Sequence, residues 1–159
     1  MQTADIGIYG LGTMGSALAS NLAENGFCVA VSNRETDWIA PFVETAGPLA
    51  SKLLPCETLP DLVASRTRPR TILLMLPAGA PVDAMIDTLC PLLDPDDLII
   101  DAGNSDFNDT SRRTTALARH GLHFTCMGVS GGVDGARHGP SNSSSKITSI
   151  CIASPAGFR

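Results

Sequence analysis

The chain has 159 residues, 43% of them hydrophobic, 17% charged and 4% aromatic, with a net charge of −5. That length builds one domain and buries about two-thirds of its surface without staples, while the acidic balance excludes a module that coats nucleic acid or anionic lipid by charge. No apolar run reaches the roughly 18 residues of a membrane span, and Asp5 stands where a secretory signal carries basic residues.

Residues 5–9 (D-I-G-I-Y) predict a short apolar strand, and Gly10 begins a turn. From 13 to 25, Met14, Ala17, Leu18, Leu22 and Ala23 recur at helical spacing, and Gly26 supplies the stop. Residues 27–32 read as a second strand, so β-turn-α-turn-β closes within about 30 residues, the crossover that parallel strands require. Five prolines between 37 and 70 predict short helices and turns, with a two- or three-residue strand near Cys56. Residues 71–76 (T-I-L-L-M-L) predict a strand covered on both faces. Residues 81–93 predict a helix with Pro81 in its first turn and Val82, Met85, Ile86 and Leu89 inward. A buried strand at 98–101 and a helix at 109–120 follow, with Asp109 and Arg113 pairing at i, i+4. A strand at 122–127 and a glycine-rich loop holding Arg137 and His138 complete the regular part. This order predicts an α/β fold: a Rossmann-type doubly wound, mostly parallel sheet with helices on both faces. The expected domain runs from 1 to 141. The Ser-rich remainder, 142–159, reads as a poorly ordered tail in which 147–152 can make an edge strand.

Cys28, Cys56, Cys90, Cys126 and Cys151 are far apart, odd in number and without a C-x-x-C pair, which fits a reducing, cytoplasmic compartment. His120, His123 and Cys126 have metal-like spacing, but a helix end, a turn and a strand scatter them, and no metal is expected.

Gly10-Leu11-Gly12-Thr13-Met14-Gly15 is a G-x-G-x-x-G between a strand and a helix. Gly10 serves the tight turn, Gly12 close approach of a pyrophosphate, and Gly15 helix–strand packing. The positive end of the helix then faces the anion. An NAD-selective site places Asp or Glu after the second strand, whereas this chain has Asn33-Arg34. Arg34 can meet a 2′-phosphate through charge-assisted contacts, so NADP is favoured. Glu35 opposes this by about 1–3 kcal/mol if its carboxylate comes within roughly 6 Å of the phosphate, and by little if it points into water.

Read in order, the motifs resemble the 6-phosphogluconate dehydrogenase family. They are G-L-G-T-M-G at 10–15, N-R at 33–34, L-P-A-G-A-P-V-D at 76–83 and I-I-D-A-G-N-S at 99–105. D-T-S-R-R-T at 109–114 and M-G-V-S-G-G-V-D-G-A-R-H-G-P-S at 127–141 follow. Related β-hydroxyacid dehydrogenases share the glycine turn and a V-S-G-G-like segment but differ around G-N-S and G-A-R-H-G-P-S, which makes them the runners-up. The resemblance implies that Gly10, Leu11, Gly12, Thr13, Met14 and Gly15 bind NADP and that Asn33 and Arg34 hold its adenosine phosphate end; Glu35, followed by Thr36, stands at the same end of the cofactor site where the family usually has Thr. By the same resemblance, Leu76, Pro77 and Ala78 would line the cofactor, Asn104 would touch both nicotinamide and substrate, and Ser130, Gly131 and Gly132 would form the substrate loop. Arg137 and His138 are implied to sit in a structural loop.

The implied activity is oxidative decarboxylation of 6-phosphogluconate to ribulose 5-phosphate with NADPH formation, in homodimeric, soluble enzymes of the pentose phosphate pathway. By the resemblance, a catalytic Lys and Glu lie tens of residues beyond the substrate loop, and a large helical domain there completes the substrate site and the dimer; the expectation is that this sequence stops before both. After Ser141 the family's Met-Pro-Gly-Gly is replaced by N-S-S-S-K-I-T-S-I-C. The expectation is a reading-frame change, a splice variant or a misplaced gene end, and no turnover from the 159-residue chain by itself. The alternatives are a non-catalytic NADP-binding fragment or a related β-hydroxyacid dehydrogenase.

Overall fold

The computed structural model describes residues 3–129 and 131–138. Six strands form the sheet: β1 (Ile6–Tyr9), β2 (Val29–Ser32), β3 (Leu53–Pro55), β4 (Thr71–Leu74), β5 (Leu98–Asp101) and β6 (His123–Cys126). Their spatial order is β3-β2-β1-β4-β5-β6, and every neighbouring pair is parallel. The helices are α1 (Thr13–Glu24), α2 (Ile39–Thr45), α3 (Leu59–Ala64), α4 (Ala80–Leu89), α5 (Phe107–Ala118) and α6 (Gly132–His138). The direction of winding reverses between β1 and β4, which opens a crevice at their carboxyl ends.

Strand alternation sorts the core into two layers. Ala30, Ile72, Leu74 and Ile99 pack with Val82, Leu89 and Leu117 of α4 and α5. Their chain neighbours Val29, Val31, Leu73 and Ile100 point the other way, onto Leu18 and Leu22 of α1 and Ile39 of α2. The inner strands are therefore continuous apolar runs, as a sheet covered on both faces requires.

Two strands start later than the apolar runs suggest, for one reason. Phe27 N–H bonds to Leu22 O and Leu122 N–H to Leu117 O, each closing the preceding helix around a left-handed glycine, Gly26 or Gly121. Helix α5 begins at Phe107 instead of 109, because the Asp106 side chain accepts from Asn108 N–H at 2.8 Å and caps it.

The expectation of a loop through Arg137 and His138 is corrected. Residues 132–138 form a helix despite Gly132 and Gly135. Packing on α1 overrides the low glycine propensity: Ala136 is buried, Asn21 Nδ2 donates to Arg137 O at 2.7 Å, and Arg137 pairs with Glu24. The segment 142–159 and its suggested edge strand lie outside the described residues.

Candidate functional site: a dinucleotide cleft at the carboxyl ends of the strands

The glycine turn leaves β1 and enters α1 with each glycine in different surroundings. Gly10 has φ +106°, and a Cβ there would lie 2.3 Å from Met75 O, at the end of β4. Only glycine fits that conformation and that approach. A Cβ on Gly15 would lie 1.8 Å from Gly10 O, so the helix sits directly on the turn. Gly12 is different: nothing lies within 4 Å of where its Cβ would be. It is the residue before α1, and no side chain caps that helix start or places an acidic group in its first turn. A helix N-terminus of this kind is suited to an anion.

The end of β2 is wired to the turn. Asn33 is buried, and its Oδ1 accepts from Leu11 N–H at 2.8 Å. Its Nδ2 donates to the backbone oxygen and the carboxylate of Glu35, both at 3.2 Å. Arg34 is largely exposed, and its Nε donates to Glu35 Oε1 at 2.7 Å. The arginine holds the Glu35 carboxyl below the usual carboxylate range. Glu35 therefore folds back onto Asn33 and Arg34 while its carboxylate stays in contact with water.

Across the crevice, the segments after β4 and β5 meet. Leu76 is half-buried, with Pro77 and Ala78 exposed beside it. A Cβ on Gly103 would lie 2.0 Å from Leu76 O, so the two segments touch through backbone. Asn104 follows, exposed and left-handed at φ +58°, a conformation that asparagine tolerates better than most residues.

Below this contact is a buried polar network. Asp101 is fully buried at the end of β5; its Oδ1 accepts from Gly103 N–H at 2.9 Å, and its Oδ2 accepts from Ser105 Oγ. Arg113 of α5 is also buried. Its Nε donates to Asp83 Oδ1 at 2.9 Å, its Nη2 to Gly79 O at 3.0 Å, and its Nη1 to Ser105 Oγ at 3.0 Å and Asp101 Oδ2 at 3.4 Å. The hydrogen bond from Arg113 holds the Asp83 carboxyl below its usual range. The expected pairing of Arg113 with Asp109 is only a 3.9 Å contact; Asp109 sits nearer Arg112, at 3.2 Å.

Gly131 and Gly132 lie beyond β6, both exposed and both at positive φ, leading into α6. A Cβ on Gly131 would lie 3.0 Å from Gly135 Cα. Ser130 lies outside the described residues.

Residues 5–145 match the family model described as the NAD binding domain of 6-phosphogluconate dehydrogenase. The chain belongs to that family. The decarboxylating 6-phosphogluconate dehydrogenase of Synechococcus elongatus is 48% identical over 141 residues, covering 89% of this chain and 30% of that protein. Among solved structures, Plasmodium falciparum 6-phosphogluconate dehydrogenase superposes with a TM-score of 0.76 at 31% identity, over 84% of this chain and 28% of that one. A 3-hydroxyisobutyrate dehydrogenase from Mycobacterium tuberculosis has a TM-score of 0.67 at 26% identity, over 85% of this chain and 43% of that one. The chain thus spans about 30% of the length of the curated relatives it matches.

As a member of the 6-phosphogluconate dehydrogenase NAD-binding family, the chain is an α/β nicotinamide-dinucleotide-binding domain. Among the described residues, no helix is long and apolar enough to cross a membrane. The glycine turn, Asn33, Arg34, Glu35, Leu76, Pro77, Ala78, Asn104, Gly131 and Gly132 all lie past carboxyl ends of strands of one sheet. Sequence reasoning missed the buried Asp101–Arg113–Asp83 network beneath them. Its one sequence signal was a carboxylate ending the apolar strand L-I-I-D.

Proposed function

We propose that this chain is the NADP-binding portion of a cytoplasmic 6-phosphogluconate dehydrogenase, with a dinucleotide-binding unit over 1–141. The enzyme would oxidatively decarboxylate 6-phosphogluconate to ribulose 5-phosphate in the pentose phosphate pathway. The observation that carries the reading is the uncapped start of α1 behind an open Gly12, with the exposed Arg34 guanidinium just past β2. These features fit a phosphorylated dinucleotide: room and backbone donors for a pyrophosphate, and a cation for a further phosphate.

In this reading Gly10, Leu11, Gly12, Thr13, Met14 and Gly15 receive the pyrophosphate. Asn33 holds Leu11 in place from beneath. Arg34 exchanges the Glu35 carboxylate for the 2′-phosphate. Leu76, Pro77 and Ala78 line the far side of the cleft. Asn104, with an amide that donates and accepts at once, orients the substrate against the nicotinamide. Ser130, Gly131 and Gly132 present a hydroxyl and backbone N–H groups to the sugar-acid carboxylate. When bound, NADP supplies the nicotinamide that accepts hydride.

The test is titration of the 159-residue chain with NADPH and NADH, followed by nicotinamide fluorescence. NADPH binds more tightly. Arg34→Ala weakens NADPH by about tenfold to a hundredfold, the worth of a charge-assisted hydrogen bond, and leaves NADH unchanged. Equal affinities in the unaltered chain would reject the role of Arg34.

A further inference from the structure

The β4–α4 and β5–α5 segments carry Leu76, Pro77, Ala78 and Asn104, and no side chain of those four ties them together. Arg113 does so from below. One edge of its guanidinium takes Asp83 Oδ1 and Oδ2, at 2.9 and 3.2 Å, and Gly79 O, at 3.0 Å; Gly79 directly follows Ala78. The other edge takes Ser105 Oγ at 3.0 Å and Asp101 Oδ2 at 3.4 Å, and Ser105 directly follows Asn104. Asp101 in turn accepts from Gly103 N–H at 2.9 Å, fixing the residue that presses on Leu76 O.

We propose that Arg113 is a positioning residue for the nicotinamide side of the cleft, locking Leu76–Pro77–Ala78 and Asn104 in one mutual geometry. The proposal rests on the NADP reading above. A planar fork with five donors can satisfy acceptors on two segments at once; a lysine ammonium keeps the charge but is a compact point on a flexible stem. The positioning is confined to one half of the cofactor. The network touches neither the glycine turn nor Asn33 and Arg34, whose partners are Leu11 and Glu35.

The experiment uses the 159-residue chain with two probes. NADPH reports both halves of the cleft through its dihydronicotinamide fluorescence; 2′,5′-ADP, followed by calorimetry, reports only the adenosine half. Arg113→Lys is expected to weaken NADPH by about tenfold, near one hydrogen bond's worth of free energy. It should also shift the emission of the bound dihydronicotinamide toward that in water, with 2′,5′-ADP affinity within about twofold. Equal weakening of both probes would show a general structural effect and overturn the proposal, as would an unchanged NADPH affinity. Should Arg113→Lys not fold, Ser105→Ala removes one arm of the bridge from a half-buried position. The same selective loss, of smaller size, is then expected, and its absence overturns the proposal. Failure of the unaltered chain to bind 2′,5′-ADP would instead remove the NADP reading on which the proposal stands.

Discussion

Arg34 and Arg113 serve opposite sides of one cleft, and both are hydrogen-bonded to carboxylates. Arg34 is exposed and pairs with its chain neighbour Glu35. Arg113 is buried, and its partners come from two other segments of the chain, Gly79 and Asp83 from one and Asp101 and Ser105 from the other. Water screens the first pair, so it contributes little to stability and can be exchanged for a ligand at small cost. The second assembly sits where an unpaired charge is expensive, so it is framework. The same side-chain chemistry thus gives a replaceable contact on one side and a fixed joint on the other.

The largest expected effect is on stability. Arg113→Met leaves Asp101, with no exposed surface, beside an apolar chain, and should cost about 3–5 kcal/mol. Arg34→Met should leave stability nearly unchanged, as is ordinary at an exposed position. Urea melts of the two variants measure both. Similar losses would erase the distinction between joint and contact.

Glycine substitutions sharpen the same division inside the turn. Gly15→Ala drives a Cβ to 1.8 Å from Gly10 O, a backbone atom that cannot rotate away. A cost of about 3 kcal/mol is expected, the upper end of overpacking. Gly12→Ala meets nothing within 4 Å, so it should cost at most about 1 kcal/mol while abolishing most NADPH binding. Thermal melts and fluorescence titration separate the two outcomes. A Gly12→Ala chain that binds NADPH normally would place the pyrophosphate elsewhere.

What the sequence discloses follows the same line. The β1–α1–β2 unit is contiguous: its periodicity, its three glycines and Asn33-Arg34 lie within about 30 residues, where local rules operate. The bridge under the second half is not contiguous. Arg113 finds Asp83 thirty residues away and Asp101 twelve away. The i, i+4 rule names Asp109 as its partner, and the bidentate geometry at Asp83 prevails. Helix α6 is hidden for a related reason. Gly132 and Gly135 argue locally for a loop, and the helix exists because Ala136 and the Arg137 carbonyl find partners on α1. The apolar runs, by contrast, announced strands covered on both faces directly, since most of their inner positions are apolar and Asp101 is the exception that anchors the bridge.

The smallest effect tests whether the Arg34–Glu35 pair is exchangeable. Glu35 accepts from Arg34 Nε and from Asn33 Nδ2, and Arg34 holds its carboxyl ionised below the usual range. A 2′-phosphate arriving at Arg34 must displace that carboxylate and then tolerate it nearby. Glu35→Gln removes the charge and keeps an oxygen that can still accept from Asn33, so the link from Asn33 to Leu11 survives. Relief of that repulsion should tighten NADPH by roughly threefold to tenfold. NADH, with no phosphate at that position, should bind as before, and the melting temperature should not move. Equal tightening of both nucleotides would mean that Glu35 acts on the turn through Asn33, making the adenosine side as much a fixed joint as the side held by Arg113.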